Sequence, residues 1–240
     1  MASIVKDTIA VAIVCKTPIA GQSKRRLSPP FSADECAALS ACFIRDVSST
    51  VAALAAGGDV APYALYTPAG SEAALRPLLP DSFQLLPQGE GDLGARLIKG
   101  TADLFAAGHA GIVLVNSDAP TLPLTILRAA VDAVRRKADV AVGPALDGGY
   151  TVIGLSHPHV GLFERIPWST AEVYRATLER TRELKLSVTE VAAWYDVDDA
   201  ATLQVLMDEL AGHRPAFAHD ITGAEAPATR AFLQARRRLS

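Results

Sequence analysis

Gly111-Ile112-Val113-Leu114-Val115-Asn116 is an unbroken apolar run that ends on a polar residue, and Ser117-Asp118-Ala119-Pro120 follows it directly. A run of this length without alternation reads as a strand buried on both faces, the signature of a parallel sheet covered on two sides. Ile9-Ala10-Val11-Ala12-Ile13-Val14-Cys15 repeats the pattern about a hundred residues earlier. Weaker strand signals stand at Val60–Tyr66, Phe83–Leu86, Asp139–Val142 and Tyr150–Leu155, the last two flanking an Asp147-Gly148-Gly149 turn.

Helical patterns fall between these runs. Ser32-Ala33-Asp34-Glu35 is a capping-box sequence opening an Ala-rich helix that stops at Gly57-Gly58. Helices are also expected over Ser71–Leu79 and Asp92–Ala107, with further ones through Leu127, Ala130, Val131 and Val134 and through Val173, Thr177 and Thr181. Leu203, Leu206, Met207 and Leu210 mark another amphipathic helix, with Asp199 placed to cap it. Alternating strands and helices predict an α/β fold, with helices on both faces of a mostly parallel Rossmann-like sheet, a three-layer sandwich. We expect one domain over residues 1–240, with a core of about 8–211 and an irregular tail over 212–240 that ends in a short basic helix.

The 240 residues are 50% hydrophobic and 20% charged, which excludes a disordered or coiled-coil chain. A net charge of −3 gives no general attraction for nucleic acid or an anionic membrane, so an anion site must be a local basic cluster. Cys15, Cys36 and Cys42 are odd in number and lack zinc-site spacing, as expected of thiols in a reducing, cytoplasmic setting. The first apolar run is too short to span a bilayer, so no membrane insertion is expected.

Polar clusters begin where strands end, which is where open α/β sheets bind ligands. Lys16, Lys24, Arg25 and Arg26 share the loop after the first run, together with Gly21. They suit a polyphosphate, although a solvated basic loop fits the residues equally well. Pro87-Gln88-Gly89-Glu90-Gly91-Asp92-Leu93-Gly94 is a Gly-rich turn opening a helix; Gln88 has an amide suited to a base edge, and Asp92 fits a plain helix cap. Asp118 ends the central strand where a hard cation would sit, or else caps a helix. Asp196 and Asp198, two apart in an extended segment, face one way and suit a shared cation, or a solvated turn. His157 and His159 flank Pro158 without an evident third ligand and read as surface residues.

Taken in order, Lys24-Arg25-Arg26-Leu27, Gly91-Asp92-Leu93-Gly94, Ser117-Asp118-Ala119-Pro120, Asp147-Gly148-Gly149-Tyr150, Trp168-Ser169-Thr170 and Asp196-Val197-Asp198 resemble the motifs of one family. This is the bacterial glycosyltransferase-like family related to 2-phospholactate and phosphoenolpyruvate guanylyltransferases. The resemblance runs from about Ile9 to Leu210, and Ala226-Pro227-Ala228-Thr229 fits the family's tail. It implies the GT-A, nucleotide-diphospho-sugar transferase fold. It also implies catalytic roles for Lys24 and Asp118, and nucleotide or phosphate contacts from Lys16, Lys24, Arg26, Gln88 and Gly94. Acceptor contacts fall to Gly149 and Ser169, and a metal to Asp118, Asp196 and Asp198. The chain departs from the family pattern at Arg25, Glu90, Asn116 and Ala119.

The expected function is a Mg²⁺-dependent (or Mn²⁺-dependent) transferase with a nucleotide or nucleotide-sugar donor and a small-molecule acceptor. Glycosyl transfer stands first, and guanylyltransferase-like nucleotidyl transfer to a small phosphorylated acid is the alternative. A nucleotide-binding module without turnover is the alternative outside catalysis. A nucleic-acid binder conflicts with the net charge and the lack of stacking aromatics.

Overall fold

The computed structural model describes residues 8–238. In chain order it contains β1 (Ile9–Lys16), α1 (Ala33–Ala55), β2 (Val60–Thr67), α2 (Glu72–Leu75), β3 (Gln84–Pro87), α3 (Leu93–Ala106) and β4 (Gly111–Asn116). Then follow α4 (Leu124–Arg135), β5 (Val140–Pro144), β6 (Tyr150–Leu155), α5 (Val173–Glu183), β7 (Val188–Glu190), α6 (Ala200–Leu210) and α7 (Pro227–Arg237). All seven strands form one sheet in the order β3-β2-β1-β4-β6-β5-β7. Only β6 runs against the others, pairing antiparallel with both β4 and β5.

The two apolar runs occupy the centre because both of their faces are covered. Ile9, Val11, Ile13 and Cys15 enter one core, with Phe43 and Val47 of α1 and Leu127 and Val131 of α4. Ala10 and Ala12 enter the other, with Leu97 and Leu104 of α3 and with Leu162 and Phe163. Alternate side chains thus feed two cores, giving the three-layer α/β sandwich that continuous hydrophobicity implies. Helix α1 is long and apolar enough to cross a membrane by composition alone, but its apolar side is packed within the protein.

Helix ends follow the local chemistry. Ser32 and Glu35 form the full capping box of α1, Asp92 accepts from Ala95 N at the start of α3, and Asp199 with Thr202 caps α6. The expected helix over Ser71–Leu79 is a single α-turn continued by a 3-10 turn at Arg76–Leu78, where Pro77 supplies no N–H. The C-terminal segment is more closely tied than its composition indicates. Asp46 of α1 is buried and accepts from Ala228 N at 2.9 Å and Thr229 N at 2.8 Å, so a core carboxylate caps α7.

The connection order positions the site. From β1 the chain winds outward through β2 to β3, then returns to place β4 on the other side of β1. The switch point therefore lies between the carboxyl ends of β1 and β4, where such sheets open a crevice for ligands.

Candidate functional site

A cleft of about 710 Å³ opens at that switch point. Its lining includes Lys16 and Lys24 after β1, Asn116 and Asp118 after β4, Gly149 and Tyr150 entering β6, and Asp196 and Asp198 before α6. Segments far apart in sequence meet here because the 194–198 stretch runs alongside both β5 and the end of β4. Trp194 N donates to Pro144 O at 3.1 Å, and Val197 N donates to Asp118 O at 2.9 Å.

Lys24 lies at the centre. Its backbone is in the left-handed region, with φ +46°, which a non-glycine residue holds only where its surroundings fix it. The side chain, 5% exposed, donates to Val197 O at 2.7 Å and Asp198 Oδ1 at 3.0 Å, and its Nζ is 2.8 Å from Asp118 Oδ1. Three protons meet three acceptors. The two carboxylates outweigh burial and hold the ammonium above its ordinary pKa. Arg26, exposed, reaches the other oxygen of Asp198 at 2.8 Å.

Asp196 has the opposite environment. It is buried and accepts one bond from Asn116 Nδ2 at 3.0 Å. Desolvation, followed by repulsion from Asp147, Asp198 and Asp118, pushes its pKa up to about 7. Oxygens of Asp147, Asp196 and Asp198 lie within 4.8 Å of one another, a spacing that suits one cation. Of the expected trio, Asp196 and Asp198 belong to this group, and Asp118 is joined to it through Lys24, which is ion-paired with both Asp118 and Asp198. Asp147 is the residue that sequence reasoning missed. A carboxylate in an Asp-Gly-Gly turn reads as local chemistry, and one of its oxygens does accept from Gly149 N at 2.8 Å.

Of the remaining expected residues, all but Gly94 line the same cleft. Lys16 and Arg25 line it beside Lys24. Gln88 is buried, and its Nε2 donates to Cys15 O at 3.1 Å and Leu65 O at 2.9 Å, joining the ends of β1 and β2. Its amide hydrogens are thereby committed to the fold, leaving Oε1 for any base. Gly94, in the first turn of α3, is packed so closely that an added Cβ would lie 2.7 Å from Trp168 Nε1 and 2.9 Å from Phe163 O. Gly149 and Ser169 both line the cleft. Ser169 has φ +63° and does not cap α5; Thr170 Oγ1 instead accepts from Glu172 N at 3.2 Å.

Tyr150 also lines the cleft, with its hydroxyl buried and without a hydrogen-bond partner, a leftover polar group of the kind that a ligand satisfies. Cys15 offers no nucleophile: burial, reinforced by Asp118, pushes its thiol up to about 12.

The turn carrying Asp147 depends on Gly148, which has φ +91° and whose added Cβ would lie 2.1 Å from Ala171 O. Gly148→Ala is expected to cost about 3 kcal/mol in chemical denaturation. Gly58→Ala, with φ +79° and nothing within 4 Å, should cost only about 1 kcal/mol. Equal losses would show that the contact with Ala171 is unimportant.

A structure from Desulfovibrio desulfuricans G20, provisionally named a nucleotide-diphospho-sugar transferase, is 28% identical with a TM-score of 0.80 over 96% of this chain and 95% of that one. CMP:2-keto-3-deoxy-manno-octonic acid synthetase, complexed with CTP, is 13% identical with a TM-score of 0.54 over 86% of this chain and 100% of that one. Glucosyl-3-phosphoglycerate synthase from Mycobacterium tuberculosis, with Mn²⁺, UDP and glucosyl-3-phosphoglycerate, is 10% identical with a TM-score of 0.51 over 85% of this chain and 77% of that one. At these last two identities the likeness is one of fold alone, shared with the Desulfovibrio structure. None of the curated proteins compared matches the sequence. One family matches over residues 50–170, half of the chain, and the protein belongs to it: "Uncharacterized protein conserved in bacteria (DUF2064)".

Proposed function

We propose that this chain is a divalent-metal-dependent transferase that moves a glycosyl group from a nucleotide-diphosphate sugar to a small acceptor. The observation that carries the reading is the pairing, in one cleft at the switch point, of a basic loop with three converging carboxylates. The donor set suits a hard cation. Oxygens from Asp147, Asp196 and Asp198 match Mg²⁺ or Mn²⁺, which favour oxygen ligands and a share of water or phosphate. Asp196 sits among acids that one Lys ammonium does not balance, and a divalent charge relieves that repulsion. When bound, the metal offsets charge on the donor phosphates and the departing diphosphate.

The chain's own residues divide the remaining work. Lys24 holds Asp118 and Asp198 in place and sets a positive charge beside the phosphates. Arg26, Lys16 and Arg25 extend that charge to the mouth of the cleft. Gln88 lines the side assigned to the base, with Gly94 packed behind it against Trp168, and Gly149, Ser169 and Tyr150 line the side assigned to the acceptor. With no activated Ser, Cys or His nucleophile beside the cleft among the described residues, direct displacement is the proposed course. The domain is taken as the whole chain, 1–240, acting in the cytoplasm.

Nucleotidyl transfer is the second reading, favoured by one observation: five cationic side chains line the cleft (Lys16, Lys24, Arg25, Arg26 and Arg96), and a triphosphate carries more charge than a nucleotide sugar. Thermal-shift titration separates the two. Stabilisation by nucleotide sugars only with Mg²⁺ or Mn²⁺ is the expected result, worth about 2.7 kcal/mol at a hundredfold excess over Kd. Response to triphosphates alone supports the second reading. Binding that ignores the metal overturns both and leaves a binding module.

A further inference from the structure

A second constellation lies at the opposite end of the sheet. β5 and β6 pair with Val140 opposite Leu155, so residues just before one strand and just after the other become neighbours. This register brings Asp139 beside the His157-Pro158-His159 segment, and a carboxylate oxygen and one nitrogen of each imidazole lie within 4.8 Å of one another. The expectation of surface histidines holds for His157, which is exposed; His159 is largely buried, and Asp139 stands as the third candidate group that the sequence did not show.

We propose that Asp139, His157 and His159 form a binding site for a first-row transition metal of the Zn²⁺ class, separate from the cleft. The donors are two imidazoles and one carboxylate, a set that Zn²⁺ takes with a fourth position left for water, and one that Mg²⁺ disfavours. His159 Nε2 is buried and has no hydrogen-bond partner; Asp139 Oδ1, at 3.9 Å, is beyond reach for one. A metal between them gives the buried Nε2 the partner it lacks.

The supporting contacts are those of a prepared site. Asp139 Oδ2 accepts from Ser187 N at 2.8 Å and Ser187 Oγ at 2.7 Å, which fixes the carboxylate and leaves Oδ1 free. Ser156 Oγ, in a buried residue, is 2.9 Å from His157 Nδ1 and holds that ring. Outer contacts of this kind orient metal ligands and set affinity. The two sites are separated by the length of β5, roughly 16 Å at about 3.3 Å per residue.

The test is Zn²⁺ titration of the full chain by calorimetry, in excess Mg²⁺ to engage the hard-oxygen cluster. One Zn²⁺ equivalent is expected. His157→Ala/His159→Ala should weaken it more than about 100-fold, and Ser187→Ala, which removes a contact to Asp139, by about 10-fold. Co²⁺ should give visible d–d absorption of a four-coordinate site, lost in the double variant. Circular dichroism checks that the variants are folded; both imidazoles lie outside the strands. Unchanged Zn²⁺ binding in the double variant overturns the proposal. So does Zn²⁺ binding that only Asp147→Asn or Asp196→Asn removes, which would assign the ion to the cleft.

Discussion

Lys24→Ala is expected to lower stability by about 2–4 kcal/mol and to cut donor-dependent turnover at least 100-fold. The substitution removes the one ammonium that satisfies Asp118 Oδ1, Asp198 Oδ1 and Val197 O together. Breaking a fully buried ion pair from one side costs about 3–5 kcal/mol, because the remaining charge has no partner. The figure here is lower since both carboxylates are 31% exposed and water screens them in part. Urea denaturation checks the first number. A donor titration at fixed metal checks the second. A variant with full stability would mean that Arg26 or solvent already neutralises Asp198.

Asp196→Asn is expected to move the two quantities in opposite directions. Folded, this carboxyl has its pKa raised from an ordinary 3.8 to about 7, so the native state holds its proton more tightly than the unfolded chain does. Stability then falls as pH rises from about 4 to about 7, the window in which the unfolded state has released the proton and the native state has not. Asparagine removes that penalty while its Oδ1 still accepts from Asn116. Metal-free stability above pH 7 should rise by roughly 1–3 kcal/mol, with little change at pH 4. Metal-dependent donor binding should drop at least tenfold, since a neutral amide replaces a carboxylate proposed to hold the metal. Melting curves at pH 5 and pH 8, with and without Mn²⁺, read both effects. A gain independent of pH would refute the electrostatic account.

The two substitutions describe a site arranged for a charge beyond those the chain supplies. The same arrangement bears on what the sequence reveals. Central strands were legible because β1 and β4 are apolar without interruption, and that pattern has one structural solution. Caps at Ser32, Asp92 and Asp199 were legible because each acts within four residues. Lys24, Asp118, Asp196 and Asp198 were legible as polar residues at strand ends and as family motifs, and the fold brings them into one cleft.

What escaped detection depends on pairing at a distance. The reversal of β6 between β4 and β5 leaves no local mark, since its composition matches that of a parallel strand. Asp147 looked like turn chemistry because half of its carboxylate is turn chemistry. Asp139 joins the two histidines only through a strand register that no short window contains. The attachment of α7 to Asp46 spans 182 positions and is invisible for the same reason.

The reversed strand also limits how the chain can change in length. Val152 of β6 enters one core, while Ile153 and Leu155 enter the other. A single codon inserted between Gly149 and Thr151 would shift the strand by one position and exchange those faces, so apolar side chains of different size would meet the wrong helices. Loops after β1 or before α5 have no such parity to keep. Relatives of this protein should therefore hold the spacing from Asp147 to Leu155 constant.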